Sequence, residues 1–414
     1  MDLSRREVLG GAIKLGAVGG AIALGSSTVL AACNRSSDSS STPKATDIVD
    51  YRGAHQAGIV TPAPGRLVYG AFDVTTNRHT DVSALLRSWT DAIALMTQGQ
   101  ALGPIQPTNA QEAPVDTGEA TGLPPSNLTV TIGFGRSLFV TDDGDDRFGI
   151  SGMLPKQLIE LPHFSGEQLD ATRSGGDLSV QCCADDPQVA FHAYRNLARI
   201  ARGKAAIRWT QLGFGRTSTT SSSESTPRNL MGFKDGTNNI TAEQATALDD
   251  FVWVADTDNP AWMRGGSYAV VRRIRMDLEA WDRSAISDQE DTIGRNKLEG
   301  APLGLHHEHD AVDLAKLPVD AHIRVAAPGE NGGVRILRRG YSFTDGVDPK
   351  TGELDAGLFF IAYQRDPRAQ FVVLQRRLGV IDALNEYIVH NASALFAVPP
   401  GTGGGGFVGA TLFG

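Results

Sequence analysis

Three observations in the 414-residue sequence predict an α+β protein. The first half reads strand, helix, strand, strand, helix, strand, the order of a ferredoxin-like unit in which two helices pack on one face of an antiparallel sheet. The second half follows a similar outline. Between them lies Ser218 to Pro227, a Ser/Thr-rich run with the composition of a linker.

The elements of the first half follow from periodicity. Leu67 to Asp73 is short and rich in strand formers, and Asp81 to Met96 carries a helical apolar repeat behind an acidic start. Leu128 to Phe134 alternates apolar and polar residues, and Asp177 to Cys183 reads as a further strand. Asp185 to Ala201 is predicted helical, because Asp185-Asp186-Pro187 supplies a cap and a starting proline and Val189, Phe191, Leu197 and Ile200 form an apolar stripe. Ala205 to Phe214 returns as a strand. Two Pro/Gly-rich excursions, Gly99 to Pro125 and Thr141 to Gly176, interrupt the order as long loops.

In the second half, Tyr268 to Met276 is predicted as a strand and Asp277 to Arg283 as the start of a helix. Strands are expected at Ala321 to Val325 and Leu358 to Tyr363, helices at Ala369 to Leu378 and Asp382 to Val389, and a closing strand at Ala394 to Val398.

The N-terminus reads as an export signal. Ser4-Arg5-Arg6-Glu7-Val8-Leu9 is a twin-arginine motif, and the Gly/Ala-rich apolar stretch from Leu9 to Ala32 contains one lysine and no acid. That stretch is weakly hydrophobic for a membrane span. It ends in Leu30-Ala31-Ala32-Cys33, a lipobox-like sequence that predicts lipidation of Cys33 and a flexible Ser-rich tether after it. The chain is therefore expected at the cell surface or in the periplasm, touching membrane only through a lipid anchor on Cys33.

A formal charge of −9 argues against nucleic acid as a partner, which would need a basic face. No Cys-x-x-Cys-His is present, so covalent c-type haem attachment is excluded. Adjacent Cys182 and Cys183 are poorly placed to bridge each other and read as buried thiols.

Three residues carry the candidate chemistry. Asp235, in Gly232-Phe233-Lys234-Asp235-Gly236-Thr237, is an acid in a sharply turning loop; by itself it fits an Asx-turn as well as an acid-base role. Arg338 has a permanent charge and several donors for developing negative charge, while strand alternation points Arg339 the opposite way. His322, in Ala-His-Ile-Arg, could ligate iron. On spacing alone, His306-His307-Glu308-His309-Asp310 looks more like a metal site than His322 does.

Taken together and in order, the strings GFKDGTNN, EGAPLG, HEHD, AHIR and ILRRGYSF resemble the dye-decolourising (DyP-type) haem peroxidase family, in particular its Tat-exported branch of iron-uptake-associated deferrochelatase/peroxidases. The resemblance covers roughly residues 50 to 400. It implies two stacked ferredoxin-like domains of the dimeric α+β barrel type. The expected boundaries are a signal peptide over 1–32, a tether over 33–50, an N-terminal domain over 51–217, a linker over 218–227 and a haem-binding C-terminal domain over 228–414.

The activity implied is that of a haem b peroxidase reducing hydrogen peroxide through an oxoferryl intermediate and oxidising dyes, phenols or other one-electron donors. Asp235 and Arg338 would be catalytic and His322 the axial iron ligand, with Glu386 as its carboxylate partner or, alternatively, Asp382 one turn earlier. Gly236, Thr237, Asn238 and Arg338 would contact haem, with Arg324 as a propionate partner. Where related chains often carry Asn-Pro-Arg, this one has Ala327-Pro328-Gly329 and lacks a cation. Expected partners are peroxide, an electron donor, iron-uptake components and a second copy of the chain. Two other readings are a deferrochelatase that releases iron from haem, and a non-enzymatic lipoprotein holding haem or iron through His306, His307 and His309.

Overall fold

The structure is a computed structural model, and it describes residues 47–258 and 260–414. The export motif, Cys33 and most of the tether lie outside these residues. The first half consists of β1 (Arg66–Val74), α1 (His79–Met96), β2 (Thr129–Gly135), β3 (Leu178–Ala184), α2 (Pro187–Ile200) and β4 (Ala205–Arg216). Every element expected there is present, within a few residues at each end. Asp186 caps α2 by accepting from the backbone N–H groups of Gln188 and Val189.

After α3 (Ala245–Phe251) come β5 (Ser267–Met276), α4 (Leu278–Arg283), α5 (Ile286–Ile293) and the one-turn α6 (His322–Val325). Then follow β6 (Leu337–Arg338), β7 (Tyr341–Val347), β8 (Leu354–Gln364), α7 (Phe371–Ile381), β9 (Ile388–Val398) and α8 (Ala410–Phe413).

Two expectations fail here. Ala321 to Val325 is not a strand: His322–Val325 is a single helical turn that begins shortly after Pro318, with Asn331 Nδ2 donating to the carbonyls of Val325 and Ala327. Asp382 to Val389 is not a helix. Asp382 caps a 3₁₀ turn over Ala383–Glu386, and the β-branched Ile388-Val389 already belongs to β9. Strand β7 and helices α3 and α5 were not predicted.

Strand pairing shows how the halves combine. The first half has the order β4-β1-β3-β2 and the second β9-β5-β8-β7, both antiparallel and both ferredoxin-like. The free edges then pair across the halves, β2 with β9 and β4 with β7, so the eight strands close into a barrel. Closure removes the exposed edges that each half alone would carry. β6 extends the β7 edge of β8.

Period-two alternation sorts side chains between barrel interior and outer layers. On β1, Leu67, Tyr69 and Ala71 join an interior cluster with Tyr341, Phe359, Tyr363 and Phe396, while Val68, Phe72 and Val74 face outward into the core built with α1 and α2. Cys182 and Cys183 are both free and buried, Cys182 in the outer core and Cys183 in the barrel. The Ser/Thr run does not begin as an exposed linker: Ser218, Thr219 and Thr220 are buried.

Candidate active site

The outer face of the second half holds a cavity of about 640 Å³. Ile274 from β5, Leu358 and Phe360 from β8 and Ile388 and His390 from β9 form its floor, and Phe371, Leu374 and Leu378 of α7 form an apolar wall. Asp235, Arg338 and His322, far apart in sequence, all line it.

Asp235 is held by its loop. Phe233 is buried edge-on against Trp281, at 5.9 Å between ring centroids, and Trp281 Nε1 donates to the Met231 carbonyl. Gly236 has φ of +112°, and a Cβ there would meet the Thr219 nitrogen at 2.8 Å, so the turn after Asp235 requires glycine. Thr219 Oγ1 donates to the Gly236 carbonyl and closes the turn from the other side.

Arg338 Nη1 donates to Asp235 Oδ1 at 2.6 Å. Asn229 Nδ2 lies 3.4 Å from Oδ2, which leaves that oxygen only loosely engaged. Asn239 fixes the pair: its amide accepts from the Arg338 N–H and donates to the Arg338 carbonyl, both at 2.8 Å, and also donates to Thr219. Sequence reasoning chose Asn238 and missed Asn239. As alternation requires, Arg339 turns into the barrel, fully buried, and donates to carbonyls of the Ile59–Pro62 segment.

His322 Nδ1 and Asp382 Oδ2 lie 2.6 Å apart. Asp382 is buried, and its other oxygen accepts from the Leu384 N–H, so the carboxylate is fixed at both ends. Burial works against a charged imidazole, but the charge and hydrogen bond of Asp382, helped by the charge of Asp235, outweigh it and raise the His322 pKa. With Nδ1 engaged, Nε2 remains for a ligand. The carboxylate at His322 is therefore Asp382, not Glu386, which is exposed on the following turn.

Gly236, Thr237 and Asn238 line the cavity as expected; Arg324 does not, because its guanidinium donates to the Leu317 carbonyl. The cations on the wall are Lys234, Arg295, Arg335 and Arg338. Pro328 and Gly329, where the cation noted above is missing, also belong to the wall.

The side chains of the histidine-rich run do not converge on one point. Among the described residues no group of three His, Cys, Asp or Glu side chains is placed to hold a metal ion. Instead Glu308 pairs with Lys234 and accepts from Thr237 Oγ1 at 3.0 Å, bracing both sides of Asp235. Burial would raise the Glu308 pKa, but hydrogen bonds from Lys234, Thr226 and Thr237 hold it below the ordinary value. Asp310 accepts from the backbone of His306 and His307, which shapes the loop.

An apolar slot with one imidazole oriented by a carboxylate, and an acid paired with an arginine on the same cavity, fits a haem: the imidazole for iron, the apolar wall for the macrocycle and cations for its carboxylates. The size is within the range of cofactor sites.

Comparison with known proteins gives a consistent result. The family description "Dyp-type peroxidase, N-terminal" matches residues 56–215 and "Dyp-type peroxidase, C-terminal" matches residues 226–403. The chain is 40% identical over 362 residues to a deferrochelatase of Escherichia coli O6:K15:H31, covering 85% of this chain and 84% of that protein. A Yersinia pestis deferrochelatase is 38% identical over 410 residues, covering 96% and 91%. Among solved structures, a DyP-type peroxidase from Streptomyces coelicolor and ferric DtpA from Streptomyces lividans each superpose with a TM-score of 0.80 at 41% identity, covering 90% of this chain and 98% of theirs.

Proposed function

The chain belongs to the Dyp-type peroxidase family, and on that premise we propose that Asp235 and Arg338 manage the protons and charge of peroxide cleavage at a haem b held by His322. The protein is an oxidoreductase enzyme, a haem-dependent peroxidase that uses peroxide as acceptor. The observation that carries the residue assignment is the 2.6 Å Arg338–Asp235 pair lining the same cavity as the Asp382-oriented His322.

The chemistry supplied by bound haem is two-electron reduction of peroxide at iron, with electrons returned singly by a donor. Asp235 Oδ2 is the loosely engaged oxygen, and it takes the proton from the near peroxide oxygen and delivers it to the far one, which leaves as water. Arg338, fixed through Asn239, holds Oδ1 and presents its remaining N–H donors to the charge that develops as the O–O bond breaks. Asp382 keeps Nδ1 of His322 as the donor, which fixes the ring and makes Nε2 a stronger base. The apolar wall from α7 keeps water from the slot.

Acid-acetone treatment of purified protein is expected to extract the haem, leaving a chain without a Soret band. The holoprotein is expected to oxidise an anthraquinone dye only when peroxide is added. Haem that stays on the chain, or dye oxidation equally fast in Asp235→Asn and Arg338→Leu together, would remove the assignment.

The curated relatives support a second activity, release of iron from haem with the porphyrin left intact. Product analysis separates the two, since peroxidase turnover preserves haem and iron release yields free porphyrin. Asp235 and Arg338 have an evident task only in the first.

The same reading places the enzyme outside the cytosol as a twin-arginine-exported lipoprotein anchored at Cys33, with iron-uptake components and a second copy of the chain as partners. Its support is the Ser4–Leu9 motif and the Leu30–Cys33 lipobox, both outside the described residues. Intact mass of the mature protein tests the anchor: diacylglycerol on Cys33 is expected, and an unmodified N-terminus elsewhere would overturn it. Sedimentation of the holoprotein tests the dimer.

A further inference from the structure

Four cations among the described residues line the cavity, and three have their charge met by the protein. Lys234 pairs with Glu308 and Arg338 with Asp235. Arg295 donates to the carbonyls of Gly300 and Glu308 and lies in the field of the Glu308 carboxylate. Arg335 differs. Its guanidinium has one contact among the described residues, an Nη2–H to Gln244 Oε1 at 3.3 Å, and no ion pair.

Its backbone, by contrast, is firmly placed. The buried Gln370 side chain donates to the Arg335 carbonyl at 2.6 Å and to the Phe251 carbonyl at 2.8 Å, while accepting from the Asp366 N–H. Burial lowers the Arg335 pKa, and no neighbouring carboxylate offsets it. A half-buried guanidinium at a cavity wall with so little satisfied calls for an anion. Arg324 does not line the cavity, and position 329 is glycine.

We infer that Arg335 is the cation that binds a carboxylate of the haem, a role the sequence had pointed to Arg324 for. This rests on haem occupying the cavity and adds how its acidic edge is held. Arginine suits the task because its planar fork can give two parallel hydrogen bonds to one carboxylate, with Gln370 fixing the backbone from which the arm extends.

The test compares ferric protoporphyrin IX with its dimethyl ester, which keeps the ring and iron but has no carboxylate charge. Each is loaded into wild-type protein and R335Q, and loss to excess apomyoglobin is followed at the Soret band. R335Q is expected to lose the free acid about tenfold faster than wild type, as one charge-assisted bond would give. The ester should leave both proteins at the same rate. R335M, which keeps the apolar stem, repeats the comparison should R335Q prove unstable.

Equal loss of the free acid from variant and wild type would overturn the inference. So would equal acceleration of acid and ester, which would make Arg335 a structural residue. Unchanged haem retention with a raised KM for a sulfonated dye would put an anionic electron donor at Arg335 instead, and also overturns it. If wild type retains neither porphyrin, the cavity is not the haem site, and the failure lies with that reading.

Discussion

The two halves of the barrel share a strand order and differ in what fills the layer outside it. Beneath α1 and α2 the first half packs Phe72, Trp89, Val130, Leu178 and Leu197 into a continuous apolar core, all fully buried. In the second half the corresponding layer, between the outer face of β5, β8 and β9 and helix α7, holds the cavity. Its floor includes His390, with Arg272 buried beside it. The chain between β5 and β7 is spent on short helices and loops that bring in His322 and Arg338 rather than on one long helix. One half therefore stabilises the shared barrel, and the other gives up packing for a site.

That contrast predicts different consequences for mutations on the two sides. The largest effect is expected from His322→Ala, which removes the imidazole at the cavity: turnover should fall by at least about a thousandfold, with loss of the native ferric spectrum. A variant with unchanged spectrum and rate would take His322 out of the site.

Trp89→Ala tests the other side. Trp89 is fully buried, stacks edge-on against Phe72 and donates to the Leu197 carbonyl at 2.8 Å. Its loss should cost about 3–5 kcal/mol in denaturant unfolding while leaving kcat per folded, haem-loaded molecule unchanged. A large fall in kcat without a fall in stability would break the division of labour.

Arg338→Leu and Asp235→Asn should each slow the reaction with peroxide by about a hundredfold, seen by stopped-flow mixing, with little change in melting temperature. The double variant should be no worse than the poorer single one if the pair acts as a unit.

Asp382→Asn should lower activity by about tenfold and raise the ferric/ferrous reduction potential, because a neutral amide no longer strengthens His322 as a donor. Glu386→Gln should do neither. The reverse pattern would restore the residue favoured by the sequence.

The smallest effect concerns pH. Burial first, and then the charge of Arg272, push the His390 pKa down to about 3. The folded protein therefore keeps this ring neutral while the unfolded chain protonates it near 6.5, so stability should fall as pH drops from about 6.5 toward 3. Between pH 7.5 and 5.5 the His390 share is about 1.4 kcal/mol, and His390→Gln should flatten that part of the melting profile.

The first half was legible because its elements obey local rules. The Asp186-Pro187 start marks where α2 begins, the apolar stripe of α1 is the face it buries, and the apolar strands bury both faces, one in the barrel and one under the helices. The second half was read less well because its segments are short and serve the cavity. The turn that carries His322 has only four residues, too few for any period to show, and Asp382 was read inside a helix when it caps a turn leading into β9. Even there, alternation placed Arg338 and Arg339 on opposite sides, as found.

By itself the sequence determined the α+β order, the ferredoxin-like first half, the family resemblance and the three residues of the candidate site, since these depend on residue type and near neighbours in the chain. Tertiary structure alone decided that β2 meets β9 and β4 meets β7, that Asp382 and not Glu386 reaches His322, that Asn239 clamps Arg338 and that Arg335 meets the neutral Gln244 rather than a carboxylate. Each of these is a contact between segments remote in sequence, set by how the barrel closes, and no local pattern of side chains records it.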